Sequence, residues 1–180
     1  MDEGLPGRVR VFHQQSETLK EDRQRLLNRL TAIERLSEFL GMAPQQEAEG
    51  LPLLVNQIQS LENDLERHVE KEEQGLFPLM IDMEKDQGSE FIIPLITEHC
   101  DLEKNCDELD RALRGLHQHN GESHHWQVLK IIGRIRDLCE LVRDHLETEL
   151  KQFFPHILDM LDPGEQAWAA EHMNAIQTRR

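Results

Sequence analysis

The chain says the same thing twice. LERHVEKEEQGLFP around His68 matches VRDHLETELKQFFP around His145, so His68, Glu72, Phe77 and Pro78 recur 77 residues later as His145, Glu149, Phe154 and Pro155. Carried back from His99, the same offset lands on Asp22, and the preceding Glu matches too, Glu21 with Glu98. The repeating unit is a pair of helices, present twice.

Helix is the element because every long segment carries an apolar stripe at three- and four-residue spacing. The stripes run Leu19, Leu26, Leu30, Ile33, Leu36, Leu40; Leu54, Ile58, Leu61, Leu65, Leu76, Leu79; Ile92, Ile96, Leu102, Leu109, Leu113, Leu116; and Val128, Ile132, Ile135, Leu138, Val142, Phe153. No segment alternates with period two, so no strand is expected. Breaks fall at Gly41–Gly50, Asp86–Ser89, His117–Ser123 and Asp162–Glu165, with Pro52 placed to open the second helix. Asp162-Pro163-Gly164-Glu165 reads as a capping box that starts a short last helix, with Trp168 as its anchor. The expected fold is all-α: an antiparallel up-down-up-down four-helix bundle over about 10–160, with a short C-terminal fifth helix over about 163–177, in one domain of 180 residues.

Charge limits the partners. With 20 basic against 35 acidic residues and a net charge of −15, the chain is repelled by nucleic acid and by anionic membrane surfaces. No apolar run approaches the ~20 residues of a membrane span, and the acidic start MDEGLPGRVRVF lacks the features of a secretory signal. Cys100, Cys106 and Cys139 have no CxxC spacing and read as reduced thiols, which fits a cytoplasmic location.

Polar residues interrupt the stripes at core positions. Asp22 stands between Leu19 and Leu26, His68 and Glu72 follow Leu65, His99 lies between Ile96 and Leu102, and His145 and Glu149 separate Val142 from Phe153. At ~1.5 Å rise per residue Asp22, His68, His99 and His145 lie ~24–32 Å from the bundle end bearing the third loop, with Glu72 and Glu149 one turn deeper, so antiparallel helices bring all six into one layer within about a turn. Buried carboxylates and imidazoles need partners. Three of each suit transition-metal ions, and six ligands suit two ions better than one tetrahedral zinc. The H-x-x-x-E spacing sets His68 and Glu72, and His145 and Glu149, one turn apart on a single face.

At these residues the chain resembles the hemerythrin-like HHE cation-binding domains, whose signature is H…H-x-x-x-E…E-H…H-x-x-x-E followed by LFP or FFP. Within that family it looks closest to the di-iron domain of the repair-of-iron-centres proteins. The resemblance implies two non-haem iron ions, replaceable by manganese or zinc, with Glu72 and Glu149 as bridges and His68, His99 and His145 as terminal ligands. Asp22 stands where the family pattern has its first His. No HxxxH pair follows His99, which sets the chain apart from the oxygen-carrying hemerythrins proper.

His13, nine residues before Asp22, is the alternative first ligand, while His156 reads as rim. His117, His119, His124 and His125 crowd a solvated loop remote from the layer, and Cys106 and Cys139 read as core thiols. The expected function is a non-haem di-iron protein that meets a small diatomic or peroxo ligand (O2, NO or peroxide) or handles iron. The rivals are an interaction or sensory module with a structural metal, and a mononuclear centre that Asp22 leaves incomplete. No catalytic nucleophile or cofactor motif appears beyond the metal ligands.

Overall fold

A computed structural model describes residues 7–83, 88–116, 122–155 and 161–177. All the elements among them are helical. Helix α1 (Gly7–Met42) leads through a short 3-10 turn (Pro44–Gln46) into α2 (Glu47–Lys71). A π-helical turn (Glu72–Leu76) joins α2 to α3 (Phe77–Met83) without a break. Helix α4 (Gly88–Leu116) returns, α5 (Glu122–Thr148) runs into a second π turn (Glu149–Phe153), and α6 (Pro163–Gln177) closes the chain. Helix α1 packs on α2 and α5, α4 packs on α5 and more sparsely on α2, and α6 lies across α1 and α2. This is the expected four-helix bundle with its short last helix.

The stripes predict most of the interior. Leu26, Leu30, Ile33, Leu54, Ile58, Leu102, Leu109, Val128, Ile135 and Val142 are all buried in one long cluster drawn from the four bundle helices. A second, shorter cluster contains Leu76, Phe77, Met80, Ile92, Leu95 and Phe153, and α6 covers it with Ala169 and Met173. Three details differ from the pattern. Leu95 takes the buried place expected of Ile96, which is 40% exposed. Trp168 is 38% exposed, and Ala169, Met173 and Ile176 anchor α6 instead.

The third difference is where α2 begins. It starts at Glu47, and Pro52 lies inside it. Glu47 is buried and its Oε1 lies 2.5 Å from His125 Nδ1 on α5, which pins the extra turn. Pro52 forfeits only the bond to the carbonyl of Ala48, an exposed residue whose carbonyl water can reach. The last helix starts as its sequence dictates. Asp162 Oδ1 accepts from the N–H groups of Gly164 and Glu165 at 2.6 and 2.9 Å, and Glu165 Oε2 accepts from Asp162 N–H at 2.8 Å.

Candidate metal centre

The H-x-x-x-E pairs sit where the two apolar clusters meet. Along α2 the order is Leu65 of the long cluster, His68, Lys71 and Glu72, then Leu76 of the short one. Along α5 it is Val142, His145, Glu149, Phe153. The polar layer is therefore dry on both sides: His68, Glu72, His145 and Glu149 are each at most 1% exposed.

Each of these four offers one ligand atom, and the four atoms all lie within 4.8 Å of one another, a grouping able to hold a metal ion. His68 Nε2 is 2.9 and 3.2 Å from the two oxygens of Glu149. His145 Nε2 is 2.6 Å from Glu149 Oε1, and His68 Nε2 is 3.9 Å from Glu72 Oε1. His99, from α4, points its Nε2 at Glu72 Oε2 from 3.2 Å. The His99 and His145 rings meet edge to face at 4.9 Å, and Phe77 stacks flat on His99 at 5.7 Å.

Asp22 reaches the same depth but is engaged elsewhere. Its Oδ2 accepts from Lys71 Nζ, and Arg25 Nη1 lies 3.1 Å from its Oδ1. The structure thus gathers His68, Glu72, His145 and Glu149, sets His99 against Glu72, and joins Asp22 to Lys71. Side chains before residue 20, and with them that of His13, lie outside the described residues, as do His117, His119 and His156.

The outer nitrogens of His145 and His99 are held too, whereas His68 Nδ1 is buried with no hydrogen bond. Glu98 Oε2 accepts from His145 Nδ1 at 2.8 Å and Glu73 Oε1 from His99 Nδ1 at 2.8 Å. Such pairs fix the ring and aim its Nε2 inward. The sequence pointed to Glu98 only as the repeat partner of Glu21, and gave Glu73 and Lys71 no role. It also hid the π turns. In each, the last N–H reaches back five residues, Phe77 to the carbonyl of Glu72 and Phe154 to that of Glu149. Pro78 and Pro155 follow at once. A proline has no N–H to continue the ladder and its ring crowds the carbonyl four residues back, so a widened turn just before it is the cheaper conformation.

Electrostatics shows a cluster under tension. Burial alone would lower the His68 pKa, but the charges of Glu149 and Glu72 outweigh it and raise it to about 9. His145 is raised against burial in the same way by Glu149 and Glu72. Burial pushes Glu149 up, but the charge of His68 and the contacts of both imidazoles carry it well below the usual carboxylate range. Glu72 goes the other way: burial and the charge of Glu149 raise it. Both oxygens of Glu72, with Nε2 of His99 and His145, are buried and make no hydrogen bond of good geometry, although His99 and His145 lie within ion-pair distance of Glu72 and Glu149. Unsatisfied oxygen and imidazole atoms converging in one dry pocket are what a transition-metal cation would satisfy, so the donor set fits one.

A family model for the hemerythrin HHE cation-binding domain matches residues 14–157. The chain belongs to that family. No curated protein matches it. The HHE match spans both H-x-x-x-E pairs and both π turns, so the family assignment and the buried cluster concern the same residues. Among the described residues, no helix of this HHE domain is long and apolar enough to cross a membrane.

An acidic cleft of about 750 Å³ runs between α2 and α4, lined by Glu66, Glu70, Glu73, Cys100 and Glu103 and reaching His99. It brings solvent and negative potential to the edge of the layer. The cysteines take no part in the layer. Cys139 is buried and Cys106 half-buried, and burial pushes both thiols up to about 12, which keeps them protonated.

Proposed function

We propose that this HHE domain is a non-haem iron protein whose centre, held by His68, Glu72, His99, His145 and Glu149, meets a small ligand such as O2, NO or peroxide. The observation that carries the proposal is the convergence in one dry layer of the Glu72 and Glu149 carboxylates with the Nε2 atoms of His68, His99 and His145, most of which make no hydrogen bond of good geometry. Iron bound there supplies a redox-active ion with coordination positions for a small molecule. The chain does the rest. Glu98 and Glu73 hold the His145 and His99 rings in place. The two apolar clusters exclude water from above and below, and the acidic cleft beside His99 favours the approach of a cation.

Loading the metal-free protein with Fe(II) under anaerobic conditions should give bound iron that survives gel filtration. The reduced protein should then change its visible spectrum within seconds of adding NO, O2 or peroxide. The Glu72→Gln/Glu149→Gln variant should lose both properties, and zinc-loaded protein should stay silent because zinc has no redox chemistry. Protein that takes up no iron would sink the proposal. Iron-loaded, reduced protein inert to all three ligands would favour a structural or sensory metal.

A further inference from the structure

The repeat lets each half of the layer be checked against the other. His99 in the second pair answers to Asp22 in the first, and Thr148 answers to Lys71. On the His99 side the position is open. Thr148 Oγ1 turns back to donate to the Asp144 carbonyl of its own helix at 3.0 Å, and His99 Nε2 faces the Glu72 carboxylate at 3.2 Å with no cation of the described chain between them. On the Asp22 side the position is filled. The Lys71 side chain is 4% exposed, its Nζ donates to Asp22 Oδ2, and the other Asp22 oxygen faces Arg25. Both oxygens of Asp22 are thus turned to cations the chain itself supplies.

Charge leads to the same place. Among the described residues, the carboxylates less than a tenth exposed in this layer are Asp22, Glu72 and Glu149, and the only lysine or arginine so buried beside them is Lys71. Three negative charges and one positive leave two to neutralise, which is one divalent ion when the imidazoles are neutral ligands. Glu73, at 44% exposed, and Glu98, at 30%, sit at the rim where water screens them. A second divalent ion would bring an excess of positive charge into a dry layer and would have to part Lys71 from Asp22.

We infer that the Lys71 ammonium is a tethered cation occupying the second metal position, so that this HHE centre takes one metal ion, on the side of His99 and His145. The inference rests on reading the His/Glu cluster as a metal centre and fixes its stoichiometry. Asp22 in the place of His99, and Lys71 in the place of Thr148, then act as a matched pair.

The test is a Co(II) titration of the full metal-free chain, followed by visible absorption and by metal retained after gel filtration. The native chain should saturate at one equivalent. Asp22→His/Lys71→Thr, which copies the second half of the repeat into the first, should saturate at two, with helicity checked by circular dichroism. Native saturation at two would overturn the inference and leave the metal centre standing. Saturation of the double variant at one would overturn it as well. A native chain that binds no Co(II) would overturn both. Lys71→Thr alone provides a second readout, because it leaves the Asp22 carboxylate buried without its ammonium. Without metal it should melt below the native chain, and saturating Co(II) should raise its melting temperature by more than it raises the native one. An equal rise would count against Lys71 as the stand-in cation.

Discussion

The long apolar cluster and the polar layer beneath it are built from the same four helices on opposite principles. Leu26, Leu30, Leu54, Ile58, Leu61 and Val128 are at most 1% exposed and make no polar contact. Their stabilisation comes from close packing, needs no other molecule, and adds up residue by residue. Glu72 and Glu149 are just as buried, yet burial and the charge of Glu149 push the Glu72 pKa up, while two imidazoles carry that of Glu149 down against its burial. The first region stabilises the chain by packing alone; in the second, the imidazoles and Glu149 support one another while burial and Glu149 both oppose the charge of Glu72. One fold can hold such a layer because it is thin and lies between two apolar clusters.

Leu30→Ala should have the largest effect. It removes a fully buried side chain and leaves a cavity, so it should cost about 2–5 kcal/mol in urea unfolding. The loss should be equal in metal-free and metal-loaded protein. A loss that depends on metal would break the comparison, because it would mean that the long cluster and the layer are coupled.

Glu72→Gln should act in the opposite sense on the two forms. Removing a carboxyl that burial and Glu149 oppose should stabilise the metal-free chain by on the order of 1 kcal/mol, while metal retention falls away. Destabilisation of the metal-free form would show that the layer is not under tension.

The most gradual effect is the pH dependence of the metal-free chain. His68 stands at about 9 when folded against 6.5 for the free group, so its contribution is fully present below about 6.5 and is lost as pH rises through 9. His145 is raised and works the same way. Glu149 is depressed, so its contribution is present above 4.5 and is lost as pH falls below its folded value. The melting temperature should therefore fall between pH 6.5 and 9.5. Metal affinity should rise over the same window, because a ligand imidazole must first release its proton. A flat melting curve across that window would contradict the charges assigned to His68 and His145.

Much of this architecture could be read from the chain because both periodicities are strong. The stripes locate the helices, and the 77-residue offset picks out His68, Glu72, His145 and Glu149 as a set. What the sequence hides is set by neighbours from other helices. Lys71 in HVEKEEQ looks like a surface lysine, and only Asp22, 49 residues earlier on α1, makes it a core one. Glu73 and Glu98 sit on solvated faces and reveal a role only once His99 and His145 turn their Nδ1 atoms outward to meet them. Trp168 attracts attention by size, but a helix as short as α6 is anchored by what fits beneath it. Gly75 shows this: a Cβ there would come within 2.7 Å of Met173 Cγ.

The paired π turns carry a consequence about length rather than composition. A π turn holds one residue more than the α turn it replaces. Everything beyond Glu72 on one side, and beyond Glu149 on the other, is therefore rotated by about 100° relative to an unbroken helix. That rotation brings Phe77 flat against His99 and Phe153 edge-on to Phe77, at 5.5 Å. Losing a single residue such as Gln74 or Gln152 would leave every ligand in the chain and both helices formed. The floor of the centre would nonetheless swing out of phase with its walls. At these two places the number of residues matters as much as their identity.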